Sequence, residues 1–328
     1  MQSSFSCADF FVYHQMYNDG VRITFNLFLQ FLQLVVASGL QMFMEFEVSH
    51  TVVFCRKKMY ALTLFSCVSY AKYEMFVVPF IYFALESNPD VQIEIHIGNP
   101  ERFENDYGDA IKILSEKYPE RFLIQPLKNE YTDVIPDAAT ARYFTVPTLK
   151  NKWTKITDID IFHVEDGASK YFDALEKRWP EATYFALQRG RLKKLSGTFC
   201  VKTKEFYSES WMTNRKNYMA DIKKHNKFHG KKPPFDIANN HYDEWVNYDL
   251  VIPVHGYPVR SEEINVRPLQ GIHISLNREP YRTEHYQAPC WGITPEYKAA
   301  IYKFIDTPFW GELKKYIHPD MTAMIARI

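Results

Sequence analysis

The sequence predicts a layered α/β fold built on a mixed, mostly parallel sheet flanked by helices. Three observations predict it. Strand-like and helix-like stretches alternate from residue 60 to 162, the connections between them are short, and "VQIEIHI" (91–97) alternates apolar and polar residues strictly. Strand–helix–strand repetition with short connections is how parallel sheets are built, and strict alternation marks a strand with one covered face.

The elements follow in order. "YALTLFS" (60–66) is a short apolar run of the kind a buried strand needs, and "YEMFVVPFIYFALES" (73–87) reads as a helix that Pro79 kinks. "NPD" (88–90) is turn chemistry leading into the strand at 91–97. From Pro100, residues Phe103, Tyr107, Ala110, Ile111, Leu114 and Tyr118 recur at helical spacing. "FLIQPL" (122–127) reads as a third strand, "AATARYFTVPTL" (138–149) as a helix up to Pro147, and "KITDIDIF" (155–162) as a fourth strand. Beyond 166 the texture changes. "KYFDALEKRW" (170–179) reads as a helix, "ATYFALQ" (182–188) as a strand, and "LSGTFCVKTKEF" (195–206) as a strand entered through a Ser-Gly turn. Residues 208–234 read as a helix running into a basic, proline-ended loop. Its Lys223, Lys224, Lys227, Lys231 and Lys232 are a solvated surface on this reading.

Bulk properties narrow the function classes. A chain of 328 residues with 46% hydrophobic content can bury one large core or two moderate ones. Lys+Arg and Asp+Glu both number 39, so there is no basic excess for general nucleic-acid binding. The five cysteines, Cys7, Cys55, Cys67, Cys200 and Cys290, are scattered without a C-x-x-C pair. They suit neither a disulfide framework nor a zinc site, and they point to a reducing compartment. Residues 25–44 carry no charge and approach bilayer-spanning length, yet Asn26, Gln30, Gln33 and Gln41 interrupt them. The domain reading is therefore an appendage at 1–58 (a packed helix, an extension or a membrane anchor), a main domain at 59–285, and a helical segment at 286–328 packed on it. The expected location is cytoplasmic, with 25–44 as the means of any membrane association.

The chemistry-bearing stretch is "WTKITDIDIFHVED" (153–166), which sets Asp158 and Asp160 among Ile156, Ile159, Ile161 and Phe162. In an extended strand the two acids share one face, about 7 Å apart. Two buried, unpaired carboxylates resist ionisation, and a hard divalent cation such as Mg²⁺ or Mn²⁺ removes the conflict. The alternatives are that the acids cap a strand end and face water, or pair with Arg142 or Lys155.

The longer stretch "ATARYFTVPTLKNKWTKITDIDIFHVED" resembles the signature of retaining glycosyltransferases of family 8 and their relatives. There an Arg-bearing helix, a turn and an apolar strand ending in D-x-D follow one another. The resemblance implies a GT-A type, Rossmann-like domain. It also implies that Asp158 sits near ribose and metal, that Asp160 is a direct Mn²⁺ (or Mg²⁺) ligand, and that Arg142 lies near the nucleotide-sugar. "GIHISLNREPY" (271–281) resembles the family's H-x-x-G-x-x-K-P-W motif. His273 and Pro280 keep the spacing and Tyr281 takes the Trp place. Leu276 replaces the Gly, Glu279 stands at the Lys position, and Arg278 offers a cation one residue early. By resemblance His273 completes the metal shell and Arg278 grips the diphosphate. "HYDEWVNYDL" (241–250) is similar to the family's D-Q-x-x-x-N stretch. Asp243 matches the acid and Glu244 replaces the Gln, which implies a place in the sugar pocket. "LSGTF" (195–199) loosely resembles its N-S-G segment. "LFSCVSYAKYE" (64–74) corresponds to the first strand and nucleotide loop, with Ser66, Cys67 and Tyr73 toward base and ribose.

The activity implied is metal-dependent transfer of a sugar from a nucleotide-diphosphate sugar, UDP being the usual carrier, to a hydroxyl of a glycan, lipid-linked or protein acceptor. Two other readings stay open. One is a metal-dependent nucleotidyl- or phosphotransferase; the other is a non-catalytic sugar-binding scaffold, which the missing Gly, Lys and Gln would suit.

Overall fold

Strand β1 (Leu62–Val68) is wholly buried, and its alternation defines two layers. Leu62, Leu64 and Val68 belong to the core on one face; Phe65 and Cys67 belong to the core on the other. The computed structural model describes residues 60–128, 138–188, 193–225, 242–259, 271–274, 295–326 and 328. All of these lie in one compact unit, Lys58–Ile328.

Around β1 stand β2 (Val91–Ile97), β3 (Phe122–Pro126), β4 (Trp153–Ile156), β6 (Tyr184–Gln188) and β7 (Leu195–Lys202). They form a six-stranded sheet of order β3-β2-β1-β4-β7-β6. β1 runs parallel to β2 and β4, and β2 parallel to β3. β7 alone is antiparallel to its neighbours β4 and β6. This is the mixed, mostly parallel, helix-flanked sheet that a GT-A type expectation calls for. A second small sheet pairs β5 (Ile161–Phe162) antiparallel with β8 (Ile272–His273).

On the first face lie α1 (Ala71–Glu74), α2 (Val77–Ser87), α3 (Pro100–Lys117) and α5 (Ala168–Arg178), with the late helices α9 (Pro295–Ile305), α10 (Pro308–Leu313) and α11 (Pro319–Ala326). Helix α3 starts where Asn99 accepts a hydrogen bond from the Arg102 amide (3.0 Å), with Pro100 in the first turn, an arrangement that satisfies the unpaired donors of a helix start. The late helices dock on α2, where the Tyr82 hydroxyl donates to the Phe304 carbonyl at 2.6 Å and its ring lies 5.2 Å from that of Trp310. On the second face lie α4 (Ala138–Phe144), α6 (Thr203–Phe206), α7 (Glu209–His225) and α8 (Tyr242–His255). Lys223 and Lys224, on the last turns of α7, are exposed, as a solvated basic run should be. Lys227, Lys231 and Lys232 lie outside the described residues.

Five local expectations change. Helix α4 ends at Phe144, short of Pro147, because the residue before a proline is disfavoured in helical geometry. β2 is covered on both faces, Glu94 and His96 included, because helices pack on both sides of the sheet. Residues 73–87 are not one kinked helix: α1 ends at Glu74 and α2 begins at Val77. Pro79 falls in the first turn of α2, where a missing N–H costs nothing. The strand at 195 takes in Ser196 and Gly197, which form no turn, and it ends at Lys202, where "TKEF" forms the single turn of α6. Finally, "KITDIDIF" is not a continuous strand. β4 stops at Ile156, the chain turns at 159–160, and Ile161–Phe162 joins the other sheet.

Candidate active site

Asp158 and Asp160 leave the carboxyl end of β4, the edge at which ligands bind in open α/β sheets. The turn between β4 and β5, closed by Ile161 N–H donating to the Asp158 carbonyl at 3.3 Å, gives the two acids different partners. The shared strand face expected from their spacing is therefore lost, because the extended geometry it required ends at Ile156.

Asp158 faces Arg142, whose Nη1 donates to Asp158 Oδ1. The guanidinium also reaches Asp243 Oδ2 (3.1 Å) and the Tyr143 hydroxyl (2.7 Å). The pairing with Arg142 that the sequence left open is thus the one Asp158 makes. Arg142 occupies the last turn of α4 and Asp243 the first turn of α8, so each charge suits its helix end. Arg142 is 2% exposed, and burial alone would favour its neutral form. The two carboxylates and Tyr143 outweigh burial and hold its pKa well above the ordinary value. Burial lifts Asp243 above the usual carboxylate range; Arg142 counters that and Asp158 adds to it.

Gly197 makes this crowding feasible. A Cβ there would stand 2.9 Å from Arg142 Nη2, 3.1 Å from the Tyr143 oxygen and 3.2 Å from Asp243 Oδ2. The neighbouring Ser196 carbonyl accepts from Asn247 Nδ2 at 3.1 Å, which ties α8 to β7 beside the cluster. Tyr143 and Asn247 were not singled out from the sequence. The Ser-Gly pair at 196–197 was the signal nearest to them.

Asp160 faces His273. The β5/β8 register sets Ile161 opposite His273, and Ile274 N–H donates to the Asp160 carbonyl at 2.7 Å. His273 Nε2 then lies 3.1 Å from Asp160 Oδ2. A carboxylate oxygen beside an imidazole nitrogen suits a divalent cation in donor chemistry. Among the described residues no three His, Cys, Asp or Glu side chains form a complete ligand cluster. Mg²⁺-type sites are commonly made from one or two carboxylates plus substrate phosphates, so an incomplete protein shell still fits.

Other predicted positions are distributed as follows. Glu244, next to Asp243 in the first turn of α8, is buried, 3% exposed. Ser66 and Cys67 are interior positions of β1, with Ser66 fully buried. Burial pushes the Cys67 thiol far up, so it stays protonated. Tyr73 is partly buried, its ring 5.8 Å from that of Phe76. Arg278, Leu276, Glu279, Pro280 and Tyr281 lie outside the described residues, as do 1–58. Among the described residues no helix is long and apolar enough to cross a membrane.

The α4–β4 connection that delivers Arg142 is fixed from inside the sheet. Glu94 on β2 accepts from the amides of Thr148 and Leu149, both at 2.8 Å, and lies 2.8 Å from His96 Nε2. Burial would raise the Glu94 pKa, but these hydrogen bonds outweigh it and hold the carboxyl below its usual range.

No family model matches the sequence, and no curated protein matches it. Among solved structures, the apo form of the glycosyltransferase GlyE from Streptococcus pneumoniae TIGR4 is similar, with a TM-score of 0.42 and 14% identity. The match covers 62% of this chain and 45% of that one, so this chain spans less than half of that protein's length.

Proposed function

We propose that this chain is a glycosyltransferase that moves a sugar from a nucleotide-diphosphate sugar, most simply a UDP-sugar, to an acceptor hydroxyl of a glycan, lipid-linked or protein substrate. The reading is of a retaining reaction that depends on Mn²⁺ or Mg²⁺. The observation that carries it is the pairing of β5 with β8. This pairing sets His273 against Asp160 at the carboxyl edge of the sheet, beside the Arg142–Asp158–Asp243 cluster.

Asp160 and His273, with Asp158, are the residues that would hold the cation, which supplies charge neutralisation for a departing diphosphate. Arg142 is buried with its fork on two acids, so its part is to orient Asp158 and Asp243 rather than to reach substrate. Asp243 keeps partial access to solvent at 21% exposure. It is the acid placed to hold a sugar hydroxyl or to steady positive charge on the sugar ring, whose transition state resembles that of glycoside hydrolysis. Glu244 is buried, and its backbone amide is hydrogen-bonded to the Asp243 carboxylate. Arg278 contributes to diphosphate binding on the strength of the sequence resemblance alone.

The test is a titration of Mn²⁺ with UDP by calorimetry, followed by a donor-hydrolysis screen over UDP- and GDP-sugars. Binding heat and release of nucleoside diphosphate are expected, and both are lost in Asp160→Ala. Release of pyrophosphate instead would favour a nucleotidyltransferase. A folded protein that gives no heat would favour the scaffold reading, and undiminished metal-dependent turnover in Asp160→Ala would remove Asp160 from the site.

A further inference from the structure

Glu165 lies just past β5 and is absent from the site described above, yet its carboxylate bridges the segments that flank the two strands of the small ribbon. Its Oε2 accepts from Val164 N–H and its Oε1 from Gly271 N–H, each at 2.9 Å. Gly271 is the residue before β8. Its φ of +79° lies in the left-handed region, and a Cβ there would stand 2.6 Å from the Phe162 carbonyl oxygen and 2.8 Å from Ile161 Cγ2. The backbone at 271 therefore lies directly on β5, as only glycine allows.

A ribbon of two residues per strand has little ladder of its own to define register, and a slip of one residue would turn His273 to the opposite face. The bond from Ile274 N–H to the Asp160 carbonyl closes one end at 2.7 Å. The Glu165 carboxylate closes the other. It takes the place of the next ladder bond, beyond the point where Gly271 has turned away from strand geometry.

We propose that Glu165 is a positioning residue. By clasping Gly271 it fixes the register of β8 and so holds His273 against Asp160. This rests on the reading of Asp160 and His273 as cation ligands, and it adds a residue that acts on them through the backbone.

Three variants separate this role from a general one. Glu165→Gln keeps an acceptor oxygen for the Gly271 amide, Glu165→Ala removes it, and Glu165→Met fills the space without an acceptor should the alanine variant fail to fold. Two readouts are taken on folded protein: hydrogen exchange of the Ile274 amide, and Mn²⁺ affinity by calorimetry in the presence of UDP. Loss of a supporting contact costs about 10- to 100-fold in metal affinity, so Glu165→Ala and Glu165→Met should lose at least about tenfold. Their Ile274 exchange should rise by about tenfold or more as the ribbon opens locally. Glu165→Gln should stay within about twofold on both readouts, as expected when the bond and not the charge matters. Unchanged Ile274 exchange in the alanine and methionine variants, or a glutamine variant as impaired as they are, would overturn the clasp. Absence of Mn²⁺ binding by the unaltered chain would sink the cation reading instead, while the exchange measurement would still judge the clasp.

Discussion

Two buried cations precede the turn that carries the acids, and they are treated oppositely. Arg142 is 2% exposed with two carboxylates on its fork, and its pKa is held well above the ordinary value. Lys155, on β4 and also 2% exposed, has the His163 Nδ1 at 3.3 Å, and its pKa is pushed down to about 8. Burial is the largest influence on both. Arg142 escapes it because hydrogen-bonded carboxylates surround it, whereas at Lys155 the attraction of Glu165 does not offset burial. Burial and Lys155 together push His163 well below its ordinary value, so it stays neutral and can accept from the ammonium. In each case the direction of the shift follows from the balance between burial and nearby opposite charge.

The largest effect should come from breaking the first cluster. Arg142→Ala leaves Asp158 and Asp243 facing each other without their cation, which should cost about 3–5 kcal/mol in denaturant unfolding. Arg142→Lys should recover only part of this, because one ammonium cannot fork onto two acids and a tyrosine. An alanine variant that unfolds at the original midpoint would erase the contrast. Next in size, Gly197→Ala drives a methyl against Arg142, Tyr143 and Asp243, and overpacking of this kind costs about 1–3 kcal/mol. Lowered activity in that variant with Mn²⁺ affinity retained would assign the cluster to sugar handling and not to the cation.

The second cluster should tolerate more. Lys155→Met replaces a buried cation whose charge burial disfavours with an apolar chain of similar length. At pH 6 its stability should lie within about 1 kcal/mol of the original or above it, as for other buried charges exchanged for apolar groups. The smallest effect concerns pH. Burial raises the Glu165 carboxyl to about 7 from 4.5, and Lys155 and the backbone amides only partly offset this. A carboxyl with a raised folded pKa favours the fold while protonated. Its contribution is complete below pH 4.5 and is lost as pH climbs through about 7. Glu165→Gln should therefore flatten the decline in stability across that window, and an unchanged slope in unfolding measurements at pH 5 and pH 7.5 would contradict the assignment.

Much of the frame was legible in the residues. The alternation of 91–97 and the helical spacing after Pro100 became β2 and α3, but the one covered face read from 91–97 did not hold: Glu94 and His96 are buried too, because helices pack on both faces of the sheet. The D-x-D stretch stood out as two acids in an apolar run, but its shape was misread. The continuous strand is interrupted because β8, which arrives more than a hundred residues later, captures Ile161 and Phe162 for a separate sheet. The importance of Gly271 and Glu165 was hidden for the same reason: a glycine and a glutamate 106 residues apart carry no mutual pattern. "HVED" directly after the acids was the one visible hint.

By itself the sequence determined the layers of this protein and the residues that could carry charge into them, since both follow from period-two and period-3.6 burial of apolar side chains. Only the tertiary structure decided which partner each acid meets. Arg142 and Asp243 are 101 residues apart in the chain yet 3.1 Å apart in space. A contact of that range is fixed by the packing of α4 and α8 on one sheet and not by any local run of residues.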